Sequence, residues 1–196
     1  MKEQFINFIS KPSKASFLEV RTFIINHDEY APYSDDIKNI NNLLHQNNFK
    51  EAAQYANINI LLSPRAHMYK SFAYRKLKDD KGAEIEAQIG QTILEGIALS
   101  GSGTLEQPYL VTRIDDERDF LTYLEEVFAS QALINDENKS YDCITKKKKK
   151  KIYFDITDCF KKMAFQFSNR EINLDDFLKD LIPEAEVKEK PWWKFW

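Results

Sequence analysis

The sequence predicts an α+β fold in which helices come first and a small sheet follows. Apolar residues recur at helical spacing through residues 1–99, whereas short runs rich in β-branched and aromatic residues begin at Tyr109. The stretch SGSGTLEQPY, residues 100–109, separates the two patterns. We therefore expect an N-terminal layer of helical hairpins, then a small α/β unit with a mostly antiparallel sheet of three to four strands, and finally C-terminal helices and a flexible tail.

Length and composition are those of a globular protein. The chain has 196 residues, of which 43% are hydrophobic and 30% charged. A net charge of -3 argues against nucleic-acid binding through general basicity. Two cysteines without paired spacing indicate neither a disulfide framework nor a zinc site, so we expect a reducing cytoplasm. Neither a signal peptide nor a membrane span is indicated.

Six helices are predicted before the glycine-rich stretch, from the spacing of apolar residues and from their start and stop signals. Ser16 and Ser34 are the expected N-caps of the second and third helices. The fourth is expected to continue until Pro64 ends it. The expected helices cover residues 2–10, 16–27, 34–45, 49–62, 65–77 and 82–99.

A three-stranded meander is predicted after the junction. Pro108 precedes an expected strand, and Asp115 and Asp116 open an expected helix whose N-terminus favours their charge. Thr157 is the expected cap of a later helix. The expected strands cover residues 109–114, 130–135, 140–145 and 151–157, and the expected helices cover 115–129, 158–167 and 174–182.

These elements divide the chain into four expected regions. They are a helical repeat-like region (1–99), a glycine-rich junction (100–108), a small α/β region with C-terminal helices (109–182), and a charged linker with an aromatic tail (183–196).

Residues 49–99 resemble tetratricopeptide repeats. Phe49, Ala52 and Pro64 stand where such a repeat has an aromatic residue, a small residue and a closing proline. The resemblance implies stacked hairpins with a concave face that binds peptides. The alternative is that these helices only pack against the C-terminal half.

A second resemblance covers roughly residues 61–157. It rests on AY at 73–74, Leu77, GSGT at 101–104, PY at 108–109, DE at 116–117, QAL at 131–133, SYD at 140–142 and IYFDI at 152–156. The chain is similar in these segments to the bacterial domain-of-unknown-function family 4919. That similarity implies a repeat-like helical segment joined by a glycine-rich turn to a small α/β module, with no established activity. Many relatives carry export signals that this chain lacks, and the lysine run and aromatic tail are outside the matched motif.

No catalytic, metal or cofactor site is indicated by residue spacing. Gly101 and Gly103 lack the Lys-Ser/Thr of a phosphate loop and follow a helix instead of a strand, so with Pro108 they predict a structural turn. The three histidines are far apart and without paired spacing. The acidic residues at 115–119 lack calcium-loop spacing and suit a helix start equally well. An enzyme of unrecognised type is therefore the alternative to which we give least weight.

Two segments are candidates for contact with partners. An unbroken lysine run lies between two expected strands, either as a solvated hairpin tip or as a site for an anionic partner. All three tryptophans lie in the last five residues, where they must bury against this protein, a partner, a second copy or a membrane interface. The candidate residues are Lys146, Lys147, Lys148, Lys149, Lys150 and Lys151, and Trp192, Trp193, Lys194, Phe195 and Trp196.

The sequence thus favours a non-enzymatic bacterial protein-interaction module, an adaptor or scaffold that uses a helical surface and docks through its Trp-rich tail. Two alternatives stay open: peripheral attachment to an anionic membrane through the tail and the lysine run, and an immunity or toxin-neutralising role. The expected partner is another protein, and the tail also allows a homo-oligomer. Deletion of residues 191–196 tests the role of the tail.

Overall fold

The computed structural model describes residues 2–136, 138–147 and 150–168. Within these residues the fold is α+β, as predicted, with a mixed four-stranded sheet after an N-terminal helical region. Met1–Met163 form one compact unit and Ala164–Trp196 form a second. The elements are α1 (Lys2–Ser10), α2 (Lys14–Ile25), α3 (Asp36–His45), α4 (Phe49–Gln54), a 3-10 turn (Ile58–Ile60), α5 (Pro64–Lys76), α6 (Asp80–Ser100), β1 (Tyr109–Leu110), α7 (Asp115–Tyr123), β2 (Phe128–Asp136), β3 (Lys139–Lys146), β4 (Lys151–Asp155) and α8 (Thr157–Ser168).

The start of α2 is one example of how side chains set helix ends. The Ser13 hydroxyl accepts the Ser16 backbone N–H, and the Ser16 hydroxyl accepts the Ser13 N–H in return. This reciprocal pair is a capping box. Ser13 is therefore the N-cap, and the expectation that Ser16 caps the helix is wrong by three residues.

The predicted helix over residues 49–62 ends early, at Gln54. Its continuation is displaced by the Asp36 carboxylate, which accepts hydrogen bonds from Tyr55 Oη (2.7 Å), Asn57 Nδ2 (2.6 Å) and Asn59 Nδ2 (3.2 Å). The Ser34 hydroxyl also donates to Asp36, so Ser34 does not cap α3 as predicted. A single buried acid thus holds residues 55–60 in an extended segment and a 3-10 turn.

The sheet has the order β1-β4-β3-β2. The β2-β3-β4 meander is antiparallel as predicted, and the short β1 pairs parallel with β4. The strand expected over 109–114 is only two residues long. The helix expected over 115–129 ends at Tyr123, because Glu125 adopts a positive φ of 56° and Glu126 N–H closes back on the Leu121 carbonyl.

The glycine-rich junction approaches the sheet closely at two points. A Cβ at Gly101 would collide with the Pro108 carbonyl. Gly103 has a positive φ of 74°, and its carbonyl accepts the Tyr153 N–H of β4 at 3.0 Å. Residues without a side chain are needed at both positions, for space at the first and for backbone conformation at the second.

One hydrophobic cluster joins the helices to the sheet. Phe17 of α2 and Ile93 and Ile97 of α6 belong to the same buried cluster as Ile144 of β3 and Phe154 of β4. Gly96 lets α6 approach the α1–α2 pair, because a Cβ there would lie 2.5 Å from the Phe17 ring and 2.7 Å from the Phe8 ring. The helical region therefore fixes the position of the sheet.

Candidate interaction surface

The outer strand β2 is exposed along its length, in contrast to its neighbour. Every residue of β2 except Ile134 is exposed, whereas residues 141–144 of β3 are all buried. β2 is the last strand in the sheet order, so its side away from β3 lacks a strand partner in the described residues. We call residues 129–135 on this side the open edge.

The open edge carries none of the usual protection of an exposed strand. Residues 128–135 contain no charged residue and no proline, the devices by which edge strands commonly prevent pairing with other chains. A register irregularity lies only at its start, between Phe128 and Ser130. Leu133, which is 45% exposed, adds an apolar side chain near its middle.

At one end of the sheet, the lysine run lies beside two exposed apolar residues. Phe128 pairs with Lys146 across β2 and β3, and the Lys147 N–H donates to the Val127 carbonyl at 3.1 Å. Val127 is 57% exposed and Phe128 is 43% exposed. Both fall within the helix expected over residues 115–129, but α7 ends before them.

The lysines of this run are not equivalent. Lys146 is mostly buried, and its ammonium group donates to the Glu126 carboxylate at 2.6 Å, so it is already paired. Lys147, Lys150 and Lys151 are exposed. Lys148 and Lys149 lie outside the described residues, as does the aromatic tail with Trp192, Trp193, Lys194, Phe195 and Trp196. We call Val127, Phe128, Lys147, Lys150 and Lys151 the lysine end.

The helical hairpins offer only shallow grooves in the described part of the chain. One is lined by α5 and α6, including Arg75, Glu84 and Gln88, and the other lies between α3 and α4 beside Tyr55. Neither brings catalytic groups together. The peptide-binding face predicted for the helical hairpins therefore stays a prediction.

Two acidic side chains at the start of α7 have raised pKa values and lie in the interior. Asp116 and Glu117, in the first turn of α7, are fully buried although acidic residues at a helix start are usually solvated. Burial raises the pKa of Asp116 to about 8, opposed by the nearby Arg113 guanidinium. Burial also raises the pKa of Glu117 well above its usual range, and the adjacent Asp142 carboxyl adds to the effect. Both acids are therefore held mainly neutral at neutral pH.

Charged hydrogen bonds tie this region to the helices. The Arg65 guanidinium of α5 binds Asp119 of α7 in a bidentate pair, with Nη2 to Oδ1 at 2.7 Å. Arg113, which is buried, donates to the Ser34 carbonyl at 2.7 Å. Gln131 on β2 donates to Asp142 at 2.6 Å. This network connects elements far apart in sequence, so we assign it a structural role.

The burial of Asp116 and Glu117 could not be predicted from the sequence, and the exposure of β2 had only a weak signal there. Asp116 and Glu117 have the position of helix-start charges, and only the packing of α5 and β3 around them removes them from water. A weak signal for β2 was present, because residues 128–136 alternate poorly and a strand with one buried face would show alternation.

Comparison with known proteins gives no family. No family model matches the chain. Neither does any curated protein or any solved structure. The resemblances to tetratricopeptide repeats and to the family of unknown function therefore stay predictions.

The described residues contain neither a cluster of metal ligands nor a helix able to cross a membrane. No three His, Cys, Asp or Glu side chains there are arranged to hold a metal ion. None of the helices they form combines the length and apolar character that crossing a bilayer requires.

Proposed function

We propose that this protein is a non-enzymatic interaction module that binds an extended segment of another protein along the open edge. The observation that carries the proposal is the nine-residue strand β2, uncharged from residue 128 to residue 135 and exposed on both faces. An added strand satisfies the free backbone groups of such an edge, and alternate side chains supply specificity.

The rigid support of β2 favours this role. Its partner strand β3 is buried and pairs with it from Ser130 to Asp136, so the edge is presented by a fixed template. The buried network behind it, including the bond from Gln131 to Asp142, further orients β2. Asp116 and Glu117, whose pKa values are raised by burial, lie inside this support.

The compartment we propose is the cytoplasm. Cys143 and Cys159 are both buried as free thiols, and burial raises the pKa of the Cys159 thiol to about 12. Two inert thiols suit a reducing compartment. The Trp-rich tail as a docking segment, and a toxin-neutralising version of the module, remain compatible proposals.

Site-specific photo-crosslinking in cells tests the open edge. A photoreactive residue at Leu133 is expected to give a discrete adduct with another protein, whereas the same residue at the exposed Ile85 of α6 is not. Ser130→Lys with Ala132→Lys should abolish the adduct, since edge lysines oppose strand addition. Gln88→Lys with Gln91→Lys on the exposed face of α6 is the matched control.

The proposal is wrong if adducts form equally at Leu133 and Ile85, or if they survive the two edge lysines. An adduct with the mass of a dimer of this chain would contradict binding of a different protein. Unchanged thermal unfolding of the edge variant shows that the loss is not a loss of fold.

A further inference from the structure

We propose that the lysine end docks on an anionic lipid surface. This goes beyond strand addition, because it uses the end of the sheet and its side chains, not the backbone of the open edge. It concerns Val127, Phe128, Lys147, Lys150 and Lys151.

The lysine end carries three exposed positive charges close together in the chain. Lys147, Lys150 and Lys151 are exposed. A hydrogen bond from Lys146 N–H to the Lys150 carbonyl, at 2.8 Å, joins the two sides of the hairpin, and Lys151 is the first residue of β4. Glu126, a neighbouring acid, already forms an ion pair with Lys146. Each lysine near an anionic bilayer contributes about 1 kcal/mol of attraction.

Neighbouring charges do not cancel this attraction. Arg118 of α7 lies over the Phe128 ring, 5.9 Å from its centroid, and adds a cation at the same end. Glu125 is exposed, and its negative charge opposes these cations. In the described part of the chain no acid forms an ion pair with Lys147, Lys150 or Lys151, so this end is net positive on a chain whose net charge is -3.

Apolar residues beside the lysines distinguish this end from a purely ionic patch. Val127 and Phe128 are among the large apolar side chains that stay exposed, and they directly adjoin Lys146 and Lys147 through backbone pairing. Cations that contact headgroups and apolar side chains that enter the acyl boundary are the two signals that together give stable membrane binding. Neither the cations nor the apolar side chains alone would give stable membrane binding.

A lipid surface fits this arrangement better than a nucleic acid does. The lysines lie at the end of the β3–β4 hairpin, beside the exposed Val127 and Phe128. Repulsion from acidic groups farther away falls off over a Debye length of about 10 Å at 0.1 M salt. A nucleic-acid strand would instead need a basic groove to follow.

Vesicle co-flotation of the full chain tests the proposal. The probe is vesicles of equal parts phosphatidylcholine and phosphatidylserine at low salt, with pure phosphatidylcholine vesicles as reference. Binding is expected only to the anionic vesicles. Lys147→Glu, Lys150→Glu and Lys151→Glu together should weaken it by at least about tenfold.

Two controls separate the lysine end from general charge and from general hydrophobicity. Lys38→Glu, Lys50→Glu and Lys81→Glu make the same charge change at exposed helical positions and should have a much smaller effect. Val127→Ser with Phe128→Ser should weaken binding by about tenfold through lost apolar contact. Ile85→Ser with Leu99→Ser, which are equally exposed, should not.

The proposal would be overturned by absence of binding to anionic vesicles at low salt, by equal losses in the lysine-end and control triple variants, or by binding to single-stranded RNA without binding to vesicles. Wild-type binding by the lysine-end variants would place attachment elsewhere in the chain and would also contradict it.

Discussion

Asp116 is not solvated, although its position in the first turn of α7 predicts that it should be. A carboxylate in the first turn of α7 would be stabilised by the helix dipole if it stayed in water. In the fold it is fully buried, its Oδ1 has no hydrogen-bond partner among the described residues, and Thr112 Oγ1 lies 3.4 Å from Oδ2. The cost of ionising it in this position therefore exceeds the benefit of the dipole.

Asp116→Asn is expected to stabilise the protein at alkaline pH. Burial raises the folded-state pKa from 3.8 to about 8, so the unfolded chain releases this proton first. The stability associated with Asp116 is complete below about pH 4 and is lost as pH rises towards 8. The amide removes this loss, and urea unfolding at pH 8 should show a gain of about 1–3 kcal/mol.

The same substitution at pH 4 should bring no gain. Asp115→Asn, at the exposed neighbouring position, is the control and should change stability little at either pH. An equal gain for Asp116→Asn at both pH values would show that Asp116 ionises normally in the folded state.

At the scale of elements, Asp36 determines where α4 ends. Burial of Asp36 acts to raise its pKa, but hydrogen bonds from Ser34, Tyr55, Asn57 and Asn59 outweigh this and lower it. The acid is therefore charged and accepts all four donors. Residues 55–60 are held in place by this acid and by the burial of Ile58 and Ile60.

Asp36→Ala is expected to destabilise the protein by about 2–4 kcal/mol, because several donors lose a charged acceptor together. Hydrogen exchange should become faster for the amides of residues 55–60 before those of α6. Asp35→Ala is the control, because Asp35 is exposed and its side chain makes no capping bond. Equal effects at the two positions would contradict the role of Asp36.

At the scale of the molecule, the helices and the sheet share one core. Ile93 and Ile97 of α6 pack in the same cluster as Ile144 and Phe154 of the sheet, and Arg65 of α5 pairs with Asp119. A helical layer of residues 1–99 alone would therefore expose apolar side chains that the sheet buries. A second, smaller buried cluster around Ile40, Ala52 and Ala66 lies within the helical region alone.

We expect residues 2–163 to unfold as one cooperative unit. Amides of Ile93 in α6 and Ile144 in β3 should exchange with the same free energy of opening, because both are lost only when the shared core opens. A fragment of residues 1–99 should lack a cooperative thermal transition. A fragment that melts cooperatively would show that the helical region is an independent domain.

Much of the helical layer and the β2-β3-β4 meander could be predicted from local patterns. The stripe of Phe17, Val20 and Ile24 and the turn between β2 and β3 depend on spacing and turn residues within a few positions. The ends of α4 and α7 could not be predicted. The first is set by contact with Asp36, 19 to 23 residues away from its donors, and the second by a positive φ at a glutamate.

The sequence by itself determined the α+β class, the order of helices before strands, the glycine junction and the concentration of lysines. These depend on periodicity, backbone freedom and charge, which are properties of neighbouring residues. Only the tertiary structure decided that Asp116 and Glu117 are buried, that β2 is an exposed edge and that Val127 and Phe128 adjoin the lysines. Burial and adjacency depend on which distant elements pack together, and local spacing does not specify that choice.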